Sequence, residues 1–307
     1  MTTNKNFKLT DMDIESFDKN GFIVLRNFLS DEFISYMEKM SDSSIESPST
    51  NYGSSFNRLK YDVGNNDEVI FKLIQDKIFK DTLSNLTKRD LFFIQGLSFE
   101  LQKKKDKGFP WRVGTQSFGC QRKDDYGCIM WIPFCEINPK KQRGGMKYIS
   151  KEKLSGEFIY QYINLLPERL DFMKNSGEQI DYDYFSNIKN DIINSSEISN
   201  LLDYHAEEDY FNPKDVILFD KYVLHRSVKL EDGEINSRLA FALRFVDVNC
   251  KYDLNRALLL EYPKENFNYG GSSNFNIDVC KKDGEKLIDS WMFTDTLKER
   301  SIINGNS

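Results

Sequence analysis

FNPKDVILFDKYVLHRSVKLEDGEINSRLAFALRFVDV, residues 211–248, is the stretch from which the fold is read. The turn Asn212-Pro213-Lys214-Asp215 leads into a short apolar strand, Val216–Phe219. His225 follows, then a charged hairpin expected around Asp232-Gly233. A long strand spans Arg238–Val248. Along it Leu239, Phe241, Leu243 and Phe245 share one face by alternation, and Arg238, Ala240, Ala242 and Arg244 share the other. The first set is a core face. The second places two small residues beside an arginine. If that face lines a barrel, the alanines leave room for a ligand, and Arg238 can grip a carboxylate with both arms of its guanidinium.

Further strand-like segments lie upstream: Leu91–Leu101, Thr115–Cys120, Gly127–Phe134 and Met146–Ile149. Before them the pattern is helical. Thr10 precedes Asp11, Asp13 and Glu15, an N-cap followed by acids in the first turn. Gly21 ends that helix and Phe22–Leu25 reads as a short buried strand. Ser30-Asp31-Glu32 opens a second helix, residues 41–65 read as a long loop, and apolar residues recur at helical spacing from Asp67 to Leu83. The expected organisation is one domain over residues 1–307. It has a helical part to about 88, a β-rich core over about 89–250 with a helical insertion near 158–203, and an extension over 251–307. The class is mainly β with flanking helices, a sandwich or barrel.

Composition narrows the function. With 24 Phe, 15 Tyr and 3 Trp the chain is too aromatic to be globally disordered. Its 42 basic and 48 acidic side chains are mixed and leave a net charge of -6, without the basic stripe of a nucleic-acid binder. No apolar stretch approaches the roughly 18 residues that cross a bilayer. Residues 1–10 carry no apolar signal core, so a cytoplasmic protein is expected. Five Cys with no Cys-x-x-Cys argue for reduced thiols rather than a disulfide frame or thiolate zinc site. Two His, at 205 and 225, exclude a three-His metal site within one chain.

The pattern Lys214-Asp215-Val216…Phe219…His225-Arg226-Ser227…Arg238…Arg244-Phe245 resembles the C-terminal signature of the phytanoyl-CoA dioxygenase-like family. These are Fe(II)/2-oxoglutarate oxygenases with a double-stranded β-helix (jelly-roll, cupin-like) core. Phe17…Asn20-Gly21-Phe22-Ile23-Val24-Leu25…Phe28-Leu29 is similar to the family's opening helix and strand, and Gly144–Ile149 to its mid-domain strand without the usual Pro-Gly-Ser-His ending. The resemblance spreads over residues 14–248. It implies that His225 is the distal iron ligand and that Arg238 holds the far carboxylate of 2-oxoglutarate. It also implies that Ser227 lines that pocket and that Gln95 lies near the cosubstrate.

The sequence departs from the family where its first two iron ligands, His-x-Asp, should stand. The matching stretch is Phe109-Pro110-Trp111-Arg112-Val113-Gly114-Thr115-Gln116, leading to Trp131, so the His position is Arg112 and the Asp position is Gly114. Halogenating relatives lose the Asp but keep the His, so halogenation is not supported. A facial triad needs two His and a carboxylate. Nearby stand-ins would be Cys120, Asp124, Asp125, Gln116 and Asp220. His205-Ala206-Glu207 lies in a polar run on no site strand.

Two readings follow. In one, a non-standard metal site supports 2-oxoglutarate-coupled hydroxylation of a small-molecule or carrier-bound metabolite. In the other, the guanidinium of Arg112 replaces the metal's charge. The chain then binds an anionic small molecule through Arg112 and Arg238, with His225 free for acid–base chemistry near neutrality. Trp111, Gln116 and Trp131 are candidate pocket walls, though tryptophans serve more often as core.

Overall fold

The computed structural model describes residues 2–45, 56, 58–115, 117–162, 165–181, 193–259 and 274–304. Helix α1 (Asp11–Asn20) starts at a reciprocal cap. The Thr10 hydroxyl accepts the Asp13 N–H, and the Asp13 carboxylate accepts the Thr10 N–H. Gly21, at φ 75°, closes the helix in the left-handed conformation and hands the chain to β1 (Phe22–Leu25). Helix α2 (Asp31–Ser44) is capped by Ser30. The helical spacing from Asp67 resolves into two helices, α3 (Glu68–Ile74) and α4 (Lys77–Thr87). The break is at Asp76, whose carboxylate accepts from Ile78 and Phe79 N–H and from the hydroxyls of Thr2 and Thr3. An aspartate that caps so well stops one helix and starts another. The expected loop over 41–65 contains a strand, β2 (Arg58–Tyr61), held to its neighbour by the Arg58–Glu100 pair at 2.8 Å.

The remaining strands are β3 (Leu91–Gln102), β4 (Gly127–Pro133), β5 (Met146–Ile149), β6 (Val216–Asp220), β7 (Leu224–Ser227), β8 (Ser237–Asp247) and β9 (Ile302–Ile303). They form an antiparallel sheet in the order β1-β6-β4-β8-β3-β2, with β9 beside β3, and a second pair, β5-β7. Within the stretch expected as a helical insertion lie α5 (Glu157–Tyr162), α6 (Leu166–Asn175) and α7 (Ser196–His205). This is the expected mainly β architecture, a curled sheet with flanking helices.

Alternation decides which side chains face which layer. Phe241, Leu243 and Phe245 of β8 join Cys128, Met130 and Ile132 of β4 against the N-terminal helices. Ala240 and Ala242 join Ile129, Trp131, Ile217, Phe219, Leu97 and Phe99 in the other cluster, which closes against β5 and β7. On β3 the faces change at a bulge between Phe93 and Gln95. Phe92 and Ile94 face inward before it, and Gln95, Leu97 and Phe99 share the inner side after it.

Two expectations about strands are corrected. Residues 117–120 form turns, not a strand: Phe118 N–H donates back to Gly114 O at 3.0 Å, curling its ring into the interior. The Asp232-Gly233 segment is not a hairpin. Strand β7 pairs with β5 while β8 pairs with β3 and β4, so this segment carries the chain from one sheet to the other.

The crossing of residues 62–65 over β3 requires glycine at position 96. An added Cβ would sit 2.1 Å from Val63 O and 2.7 Å from Phe241 Cζ. Gly96→Ala is expected to cost about 3 kcal/mol by overpacking against backbone, read as a lower urea midpoint with unchanged slope.

Candidate functional site

Arg238 opens the inner face of β8, opposite Leu101 of β3. Its side chain is 1% exposed. The guanidinium lies between two rings, 5.5 Å from the centre of Phe99 and 5.3 Å from that of Trp131. Those rings stand on the cross-strand neighbours of Ala240 and Ala242 respectively. The two alanines therefore leave the strip in which the guanidinium lies. Its Nε–H donates to Gly144 O at 2.7 Å, which fixes the plane of the group. Nη1 and Nη2 are buried and meet no partner among the described residues. Burial pulls the group down to about 10, with Cys135 and Glu100 opposing. A guanidinium held between aromatics, anchored at one nitrogen and unpartnered among the described residues at two, keeps the pair of donors that a carboxylate takes bidentately.

His225 and Arg112 meet because the backbone makes them. They face each other across a single antiparallel bridge and exchange both N–H···O bonds, at 3.0 and 2.9 Å. Directly opposed residues project to the same side. Arg112 Nε–H donates to His225 Nε2 at 3.3 Å. On the other side of the ring Nδ1 lies 2.9 Å from Val223 O. A carbonyl only accepts, so these partners assign the proton to Nδ1 and leave the Nε2 lone pair to Arg112. The Arg112 guanidinium also rests on the Phe109 ring, 3.5 Å from its centre. Burial first, then the Arg112 charge, lowers His225 to about 3. The expectation of an acid–base histidine titrating near neutrality is thus corrected: the ring is neutral and both its nitrogens are engaged.

The iron that the family resemblance implies needs donors at three places. Here the Nε2 lone pair of His225 accepts from a cation, and a cation stands where the first histidine would. Gly114, at the carboxylate position, supplies no donor. A Cβ there would meet Phe118 Cδ2 at 2.8 Å and Lys221 O at 3.1 Å. Among the described residues no cluster of three His, Cys, Asp or Glu is arranged to hold a metal. This donor set does not fit iron.

The other expected site residues divide. Trp131 packs against Arg238, and its indole N–H is buried without a partner among the described residues, as is that of Trp111. Trp111 is core, with its carbonyl accepting from Asn194 at 3.0 Å. Ser227 is buried against Gly108, and its N–H donates to Phe109 O. It lines a cleft of 520 Å³ with Lys107, Phe109, Arg143, Arg226 and Lys229. Gln95 does not reach Arg238. It stands six positions along β3 from Leu101, about 20 Å at strand rise, and its amide is used on Arg244 and Asp62. Gln116 lies outside the described residues. His205 is exposed at the end of α7, and Asp124 and Asp125 lie on a surface turn.

Several contributors were not foreseen. Gly144 acts through its carbonyl and Phe99 through its ring; the only sequence signal for Phe99 was its alternation with Leu97 and Leu101. Lys221, after β6, is 2% exposed between the Tyr160 and Tyr222 rings and donates to Lys123 O at 2.8 Å. Burial and the Arg256 charge lower it to about 7. A lysine after an apolar strand does not announce burial in sequence.

No family model and no curated protein matches the sequence. Solved structures do match in fold. The epimerase SnoN in complex with Fe3+, α-ketoglutarate and nogalamycin RO superposes with a TM-score of 0.58 at 9% identity, covering 90% of this chain and 94% of that one. The non-heme α-ketoglutarate-dependent carbocyclase SnoK from nogalamycin biosynthesis gives 0.57 at 10%, over 82% and 88%. EctD from S. alaskensis, in its apoform, gives 0.56 at 13%, over 94% and 88%. The chain therefore shares the jelly-roll fold of these structures. Among the described residues no helix is long and apolar enough to cross a membrane.

Proposed function

We propose that this chain binds a small carboxylate inside the barrel, with Arg238 as its anchor and without iron. The observation that carries this reading is the pair of buried, unpartnered guanidinium nitrogens of Arg238 beside a fixed Nε. Burying such donors without a partner costs on the order of 1–3 kcal/mol each, and a carboxylate restores both bonds at once. The small Ala240 and Ala242 leave the guanidinium its place between the Phe99 and Trp131 rings, which shield the contact from water. The cleft beside Ser227 is lined by Lys107, Lys229, Arg143 and Arg226, the last two paired with Glu208 and Asp203, and by Glu231, which leaves a net positive lining that favours an anionic visitor. Fold likeness to proteins solved with α-ketoglutarate makes 2-oxoglutarate the first ligand to try.

A second reading, 2-oxoglutarate-coupled hydroxylation at a non-standard metal site, is favoured by that same likeness alone. Calorimetry separates the two. 2-Oxoglutarate is titrated into the full chain in chelator, then anaerobically with Fe(II), while visible absorption is followed. The expected result is micromolar affinity, about -8 kcal/mol, unchanged by chelator and without a metal-to-ligand charge-transfer band. A band that appears only with Fe(II) replaces this reading with the second. No heat at millimolar ligand ends both.

A further inference from the structure

We infer that Arg112 has permanently taken the metal's place: where similar folds were solved with bound iron, this barrel carries a tethered guanidinium bound to His225. Arg112 bonds to His225 and rests on Phe109 while Arg238 bonds to Gly144 O, and the replacement stands whether or not Arg238 holds a carboxylate.

Three features point the same way. The backbone bridge sets residues 112 and 225 directly opposite each other, so whatever side chain stands at 112 is delivered to the His225 ring. An arginine delivered there offers N–H donors, and the ring answers with its one free lone pair, at Nε2, since Nδ1–H is held by Val223 O. The guanidinium is further seated on Phe109, which leaves it supported from below and bonded from the side. A metal approaching Nε2 would have to displace this contact and then sit against a fixed positive charge.

The carboxylate position is closed as well as vacated. Phe118 and Lys221 fill the volume that an aspartate at 114 would need. Phe118 is brought there by the turn after Gly114, and Lys221 closes the volume with its Cβ and its backbone carbonyl. The surroundings have been rebuilt around the loss, so restoring one ligand alone does not restore the triad. What remains is an electrostatic replacement: one positive charge, insensitive to chelators, redox state and pH over the ordinary range, because arginine does not deprotonate there.

The test uses Co(II), which reports imidazole ligation by its visible d–d absorption and needs no turnover. Full-length protein is titrated with Co(II) beside the His225→Ala and Arg112→His variants, each checked for folding by circular dichroism and thermal melting. Wild type is expected to develop no saturable band that depends on His225. A band that survives in His225→Ala comes from elsewhere and agrees with this. Arg112→His, which sets a second imidazole opposite the first, is expected to bind Co(II) at least tenfold more tightly than wild type. A wild-type band that His225→Ala removes would overturn the inference. So would a folded Arg112→His that binds Co(II) no better than wild type, because the arginine would then not be what keeps metal out. Should Arg112→His fail to fold, the wild-type and His225→Ala titrations decide alone.

Discussion

Arg238→Met is expected to abolish 2-oxoglutarate binding, a loss of at least a hundredfold, while leaving the free protein as stable as wild type or more stable by about 1–2 kcal/mol. The two effects have one cause. Arg238 is 1% exposed, and among the described residues no carboxylate pairs with it directly. Its charge has been taken out of water, which costs several kcal/mol in real proteins. One charged hydrogen bond, to Gly144 O, returns roughly 1.5–3 kcal/mol. The Phe99 and Trp131 faces return roughly 0.5–2 kcal/mol each. Methionine removes the desolvated charge and both orphan nitrogens, keeps a flexible apolar stem, and packs against the same rings. It leaves Gly144 O without its partner, which limits the gain.

On the proposed reading, the carboxylate that Arg238 binds offsets this cost. A purely structural arginine behaves differently: truncating one partner of a satisfied buried network destabilises by about 3–5 kcal/mol. Urea denaturation and calorimetry on the same preparations read both effects. Loss of more than about 3 kcal/mol with binding retained would mark Arg238 as scaffold.

Much of the architecture was legible wherever period and punctuation agree. The alternation in β8 separates Arg238, Ala240 and Ala242 from Leu239, Phe241 and Leu243, and the structure divides the same residues between two layers. Thr10 and Gly21 bound α1 as a cap and a left-handed stop should. The losses arise where a long-range choice decides. Nothing local says that Leu224–Ser227 pairs with Met146–Ile149 rather than with the next strand, because a four-residue strand containing His and Arg has no clear face. The bulge before Gln95 resets which side chains point inward, and strand length then sets Gln95 far from Arg238. The meeting of residues 112 and 225 could be anticipated only from their positions in a resembled pattern. The neutral state of the histidine could not be anticipated, because it depends on burial and on which atom of Arg112 arrives.

Between pH 7 and pH 5 wild type is expected to lose about 2 kcal/mol more stability than His225→Gln. In the unfolded chain the imidazole titrates near 6.5; in the fold, burial and then the Arg112 charge hold it at about 3. Between these values the unfolded state binds a proton that the folded state refuses. Acid therefore favours unfolding, so the contribution is complete above pH 6.5 and shrinks as pH falls toward 3. The slope is about 1.4 kcal/mol per pH unit inside that window. Glutamine cannot titrate and has an amide that can still accept from Arg112, so subtracting its curve removes the carboxylates common to both chains. Arg112→Gln supplies the second check. Without the neighbouring charge the ring becomes easier to protonate, its folded value rises, and the acid loss becomes smaller than in wild type. Parallel wild-type and His225→Gln curves from pH 7 to 5 would mean that the folded ring already takes up its proton in this range. The Nε2 lone pair would then not be accepting from Arg112, and the contact on which the metal-free reading rests would be wrong.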